Sequence, residues 1–391
     1  MENYTFSDKS KKLTFFLMGI GVLALAYGFI AHIEGQRIWA NLLVNSFFFM
    51  AIGLGATFFI ALQYATEAAW GTVMKRVFEA VSTYLPIGGL FMLIVLIAGG
   101  LHFHHLYEWM DPKAVEEDKI IAGKSGYLNL PFFFLRTFIY LGVWIFLQRL
   151  FRKRSLEADL NGDENMHSKN IKSAAIFLVF FGVTSSTSAW DWLMSIDVHW
   201  FSTMFGWYIF SGMWVSALIT IILFTVYLKN KGHLTEVNEN HLHDIGKWMF
   251  AISFLWSYLY FCQFMLIWYA NIPEEVTYFQ ERFDGYQIPM WTTFFVNFAL
   301  PMLLLMSRDT KRNYKFLVFV GSIIFFFHWM DMFNIVMPGT VGHNWSLGFL
   351  EIGMFLGFLG LFLYVVHTSL SKAPLMVKNH PYLEESMHHH I

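Results

Sequence analysis

Six side chains in this sequence carry a titratable or charged head at or just inside the end of a long apolar run: His102, Arg136, Asp191, His328, Asp331 and Glu351. Ionisable groups within such runs are costly, so they usually have partners and often a function. His328 and Asp331 are three apart, which places them on one helix face. His104, His105 and Glu108 follow His102, and Asp197 and His199 follow Asp191. A set of this kind can exchange protons with the adjoining compartment, because histidine titrates near neutrality and a desolvated carboxyl moves toward the same range. It can also accept protons from a quinol head group during oxidation. The third option is paired polar glue facing a partner subunit, with a carboxylate partner expected for Arg136.

Hydroxyl stripes add a weaker signal. Thr184 and Thr187 share a face with Asp191, while Ser253, Ser257 and Tyr260 share another with Gln263 nearby. Thr57 and Tyr64 lead toward Glu67. Such stripes can carry water and protons part-way across an apolar layer, or can be interhelical hydrogen bonds worth about 0.6 kcal/mol each. Cofactor signals are sparse. The single cysteine, Cys262, excludes a disulfide framework, an iron–sulfur cluster held by this chain and c-type haem attachment. His102 and His328 lie near one surface, with no second deep pair to hold haem b or a copper–haem centre. The consecutive His388, His389 and His390 are no evidence for a metal.

The elements that position these residues follow from composition. Of the 391 residues, 56% are hydrophobic and 14% charged, against about 25% charged in soluble domains; mean hydropathy is +0.48. Lipid is the solvent this implies, and the net charge of −2 argues against nucleic acid as a partner. A span needs about 20 apolar residues. Ten are expected, at 13–33, 38–64, 80–104, 128–149, 171–190, 202–228, 248–271, 287–307, 316–336 and 346–367. The polar start MENYTFSDKSKK lacks a small-residue cleavage site, so the first span reads as retained.

Most loop lysines and arginines, such as Lys75, Arg76, Arg149 to Arg154 and Arg308 to Arg312, fall before the first span, after even spans or at the C-terminus. Only Arg37, Lys113, Lys119, Lys124, Arg136 and Arg282 fall on the other side. The positive-inside rule then places both termini in the cytoplasm and the six candidate residues near the outer surface. The inner half of the apolar layer reads as nearly charge-free. No loop is long enough to be a soluble domain.

The sequence also hints at an internal repeat. Span four opens with Gly126-Tyr127 and Pro131, and span eight with Gly285-Tyr286 and Pro289; both close on basic runs. Asn170-Ile171-Lys172 and Asn313-Tyr314-Lys315 precede spans five and nine, which end in Trp190-Asp191 and in Trp329 with Asp331. The expected fold is an all-α polytopic membrane protein with about ten transmembrane helices. Two parallel-repeat four-helix bundles, 38–200 and 201–343, are flanked by 1–37 and 344–391.

Longer motifs carry a resemblance. Trp70, Lys75, Arg76 and Glu79 form a W-x-x-x-x-[KR]-R-x-x-E stretch that resembles the basic segment between bundle helices of NrfD/polysulfide-reductase-type membrane subunits. The stretches Ser188–Gly206, with its W-D-W, Gln263–Glu275, with its I-P-E-E, and His328–Pro338 resemble the ten-span membrane subunits of alternative complex III, a bacterial quinol:cytochrome c oxidoreductase. The likeness spans nearly the whole chain and is greatest to the smaller of that complex's two related subunits. It implies a bacterial inner-membrane location. The implied partners are a larger quinol-binding membrane subunit, an iron–sulfur subunit, multihaem and monohaem cytochrome c subunits, and in some cases a terminal oxidase. Haem c and iron–sulfur clusters would then belong to partners, with none bound by this chain. Quinone could bind here, but no complete quinol motif carries over residue by residue, so proton conduction or scaffolding is the implied role. A secondary transporter is the rival class, because parallel repeats also build those.

Overall fold

A computed structural model of the chain describes residues 4–162 and 165–390. Among them are ten helices long and apolar enough to cross a membrane, and no strand. They are α1 (Asp8–Ile30), α2 (Gly35–Ala65), α3 (Thr72–Gly100), α4 (Leu130–Asn161), α5 (Asn165–Trp192), α6 (Phe205–Asn230), α7 (Glu239–Ala270), α8 (Gln287–Leu304), α9 (Tyr314–Val336) and α10 (Phe349–Ser371). The protein is a polytopic helical membrane protein.

Several helices outrun the apolar spans, because a helix continues past the hydrocarbon wherever its backbone bonds can be kept. The basic run Arg149 to Arg154 is helical, and α4 stops only at Gly162, whose φ of +63° suits a residue without a Cβ. α5 starts at Asn165 and not near 171. α7 starts at Glu239 and not near 248, where the Asn238 side chain and His241 close a capping box. Segments 151–170 and 229–247 are thus largely helix, not loop.

The larger departure concerns α3, which begins at Thr72 and not near 80. Lys75, Arg76 and Glu79 are consequently buried inside it. Arg76 holds Glu79 at 2.5 Å and also binds Asp159 of α4. The end of the molecule where α3 begins is therefore not charge-free, whereas its sequence reads as nearly so. Sequence counting misplaced these groups because an internally paired ion is invisible to hydropathy.

Packing follows helix composition. α2 and α6 are apolar all round and almost wholly buried, and they pack against each other at the centre. Small residues allow the approach: a Cβ added at Gly55 would lie 2.9 Å from the Ala217 Cβ. α2, α3, α4 and α5 contact one another in a ring, as do α6, α7, α8 and α9. α1 pairs with α10 along the side of α2 and α3. The short helix Pro273–Gly285 follows α7 and packs against α7, α8 and the short helix Pro338–Val341 at one end of the second ring. The tail beyond Ser371 crosses the opposite end. There Ser386 bonds to Trp70 and Val73, and His389 to Asn238, Asn240 and Asp244.

Candidate functional site

The six candidate residues do not form one cluster. The structure divides them into the locked pair Arg136–Asp191, Glu351 locked to Arg37, a carboxylate free of any ion pair, Asp331, beside the buried and unpartnered His328, and an exposed histidine. His102 is the exposed one, at a positive-φ turn after α3. The buried neighbour is His104, whose Nε2 lies 2.9 Å from the Val95 carbonyl and whose Nδ1 accepts from the Leu106 N–H. Burial holds His104 below its ordinary pKa, which suits a neutral turn-closing ring. His199, exposed, meets Asp118 at 2.6 Å, and that bond holds Asp118 below the usual carboxylate range.

Arg136 of α4 and Asp191 of α5 form a two-pronged pair, with Nε and Nη2 donating at 2.8 and 2.7 Å. Tyr140 donates to the same carboxylate at 3.2 Å. The guanidinium stacks over Tyr127, 3.8 Å from the ring centroid, and donates to the Tyr127 carbonyl. Removing either partner would leave a buried charge alone, so the pair is fixed. Glu351 is fully buried and equally committed. It receives Arg37 Nε at 2.8 Å, Asn41 Nδ2 at 3.2 Å and the Gly348 N–H at 2.9 Å. That last bond caps α10, and Arg37 ties α10 to the start of α2.

Asp331 differs. It is 1% exposed and has no cation within ion-pair distance among the described residues. Its donors are neutral: the Tyr208 hydroxyl and Trp256 Nε1, the latter at 3.1 Å. One turn earlier, His328 is 2% exposed and neither ring nitrogen meets a partner in the protein. Its ring stands edge-on to Trp256, centroids 5.3 Å apart. Trp256 thus touches both members of the pair.

Two small cavities flank this pair. One is bordered by Asp331, Tyr208, Tyr260, Gln263, Arg282 and Asn334 and measures about 10 Å³. The other, beside His328, Gly212 and Ser216, is of the same size. Each is close to the smallest space that holds one water. Gln263 Oε1 and Asn334 Oδ1 are buried without partners, so the first cavity is lined for a water and too small for a quinol ring. Arg282 supplies the nearest positive charge. Its guanidinium lies 3.4 Å from the Tyr278 ring centroid and donates to the carbonyls of Tyr278 and Ile335. Tyr278 in turn stacks on Trp200 at 4.0 Å.

The hydroxyl stripes divide in the same way. Thr184 accepts from Trp144 Nε1 at 3.1 Å and donates to the Phe180 carbonyl, so it is an interhelical bond. Thr187 is half-buried and bonds its own helix, as Thr57 does. Glu67 is exposed at a positive-φ turn. Tyr64 receives Asn170 at 2.9 Å. On α7, by contrast, Tyr260 borders the Asp331 cavity, Ser257 bonds the Ser253 carbonyl, and the Ser253 hydroxyl is buried without a partner. Asn297 on α8 is fully buried with both amide atoms unpaired.

Sequence reading passed over Tyr208, Trp256, Tyr278 and Arg282, which come from other helices and from a loop helix. Asn334 was the legible one, since it continues the three-residue spacing of His328 and Asp331. Among the described residues no group of three or more His, Cys, Asp or Glu side chains is placed to hold a metal ion. Comparison of the chain with protein-family models and with curated proteins finds no match.

Proposed function

We propose that this chain is one of the membrane subunits of a quinol:cytochrome c-type oxidoreductase and moves protons within that complex. The observation that carries the reading is Asp331, a buried carboxylate held by neutral donors beside an unpartnered His328 and a water-sized polar cavity. A carboxylate already paired with arginine cannot change protonation without losing its pair. Asp331 can, and its companions offer a proton a place to go. Ser253 and Asn297 extend unpaired polar groups from this site toward the opposite end of α7 and α8, and Ser257, bonded to the Ser253 carbonyl, lies between Ser253 and the cavity.

In this reading the two rings of helices are two copies of one four-helix bundle, with both termini in the cytoplasm of a bacterial inner membrane. Quinol is oxidised at the larger related subunit, and electrons pass through iron–sulfur and haem c groups of partner chains. The lack of room for a ring beside Asp331 supports assigning proton handling, not quinol binding, to this chain.

The test is Asp331→Asn in the purified complex. Quinol turnover or coupled proton release should fall roughly tenfold or more while the complex still assembles. Wild-type turnover and proton release in the assembled variant would refute the reading. It would leave the second one, a structural anchor, which the locked pairs Arg136–Asp191 and Arg37–Glu351 favour.

A further inference from the structure

We propose that two adjoining cavities at the end bearing the chain termini form a binding site for a phosphate-bearing anion, with Lys75 as its principal cation. The cavities share Tyr64, Lys75, His167 and His380, and each measures about 20 Å³. Each admits one or two oxygen-sized groups but not a nucleobase.

Lys75 is 8% exposed, and its ammonium lies 4.5 Å from the Tyr64 ring centroid. Among the described residues no carboxylate is within ion-pair distance of it. That sets it apart from its neighbour Arg76, which takes both Glu79 and Asp159. A buried ammonium without an anion is costly, and a ring face offsets only part of that cost. Donors converge on the same space. Both nitrogens of His167 are buried and unpartnered, and its ring stands edge-on to His380 with centroids 4.9 Å apart. Arg154 borders the second cavity. The lining carboxylate, Asp159, is already taken by Arg76 and by the Lys378 N–H. Lys75, Arg76, Arg152 and Arg154 outnumber Glu67, Glu79 and Asp159, leaving one positive charge in excess around the cavities. Phosphate is the anion whose several oxygens match a lysine with two imidazoles, and anionic headgroups gather at such basic clusters.

The same chemistry could come from a lipid headgroup or from free phosphate, and the experiment separates them. The full chain, purified with its companions in mild detergent, is titrated with phosphatidylglycerol, with phosphatidylcholine and with inorganic phosphate. Native mass spectrometry and thermal shift read the binding. Phosphatidylglycerol bound in preference to phosphatidylcholine identifies the headgroup as the source; binding of inorganic phosphate alone identifies the free anion; either supports the site. Lys75→Met should weaken binding roughly tenfold or more, and Lys75→Arg should restore it. If Lys75→Met fails to assemble, His167→Asp, which sets a carboxylate against the anion, should give the same loss. Binding of neither phosphatidylglycerol in preference to phosphatidylcholine nor inorganic phosphate by the wild-type chain, or undiminished binding in an assembled variant, overturns the proposal.

Discussion

Three buried carboxylates at one end of this protein share a residue class and a depth, and differ in what faces them. Asp191 faces an arginine held by two prongs. Glu351 faces another arginine and a helix N-terminus. Asp331 faces a phenol and an indole. The consequences should separate cleanly on mutation. Arg136→Met leaves Asp191 charged and unpaired, at a cost of about 3 kcal/mol or more, seen as a lowered unfolding midpoint in detergent. Glu351→Gln keeps an acceptor for Gly348 but loses the charge that Arg37 meets. It should lower stability while leaving proton release in the assembled complex intact. A Glu351→Gln complex that is stable but uncoupled would show that the carboxylate serves proton transfer after all.

The elements hold together chiefly where side chains are smallest. α1 rests on α10 through Gly21 and Gly357, where a Cβ on either would come within 2.6 Å of the other's Cα. Backbone cannot yield as a flexible side chain can, so Gly357→Leu should force the pair apart at about 1–3 kcal/mol. Faster proteolytic release of α1 would report it. Gly19 is the control, with open space where its Cβ would go; Gly19→Leu should leave the cleavage rate unchanged. α3 teaches a related lesson. Its first two turns bury Lys75, Arg76 and Glu79, which is tolerable because Arg76 is shared between its own helix and α4. Charges inside a membrane element bind it to its neighbour.

At the scale of the molecule, the tail after Ser371 clasps both rings of helices. Asn379 takes carbonyls in the last turn of α4, Ser386 the turn before α3, and His389 the cap and first two turns of α7. His380 lies within this clasp. Burial, reinforced by Lys75, His167 and Arg76, pushes it down from 6.5 to about 2. The seated tail keeps the ring neutral, whereas a released tail takes up a proton below about 6.5. Seating is therefore strongest above that value and weakens as pH falls below it. Proteolysis within 373–390 should accelerate between about pH 7 and pH 5, and His380→Gln should flatten the response. Equal pH dependence in wild type and variant would show that another group governs it.

Hydrophobic runs, read one residue at a time, determined the ten helices of this protein, because a lipid-crossing helix must be apolar over a length set by the bilayer. The same reading found Arg136 and Asp191 and placed His328 and Asp331 on one face, since those relations are local or rest on the rule that buried charges pair. Tertiary structure alone decided which carboxylate went unpaired. Asp331 and Asp191 each follow a tryptophan near the end of an apolar helix, and nothing in their own segments shows that Arg136 reaches one while Tyr208 and Trp256 reach the other. Those partners lie 123 and 75 residues from Asp331, a separation that helical periodicity does not encode. The buried Arg76 and Glu79 of α3 escaped for the same reason: hydropathy sums each side chain's affinity for lipid, while the burial of Arg76 depends on Asp159 of α4, which only the folded chain brings near.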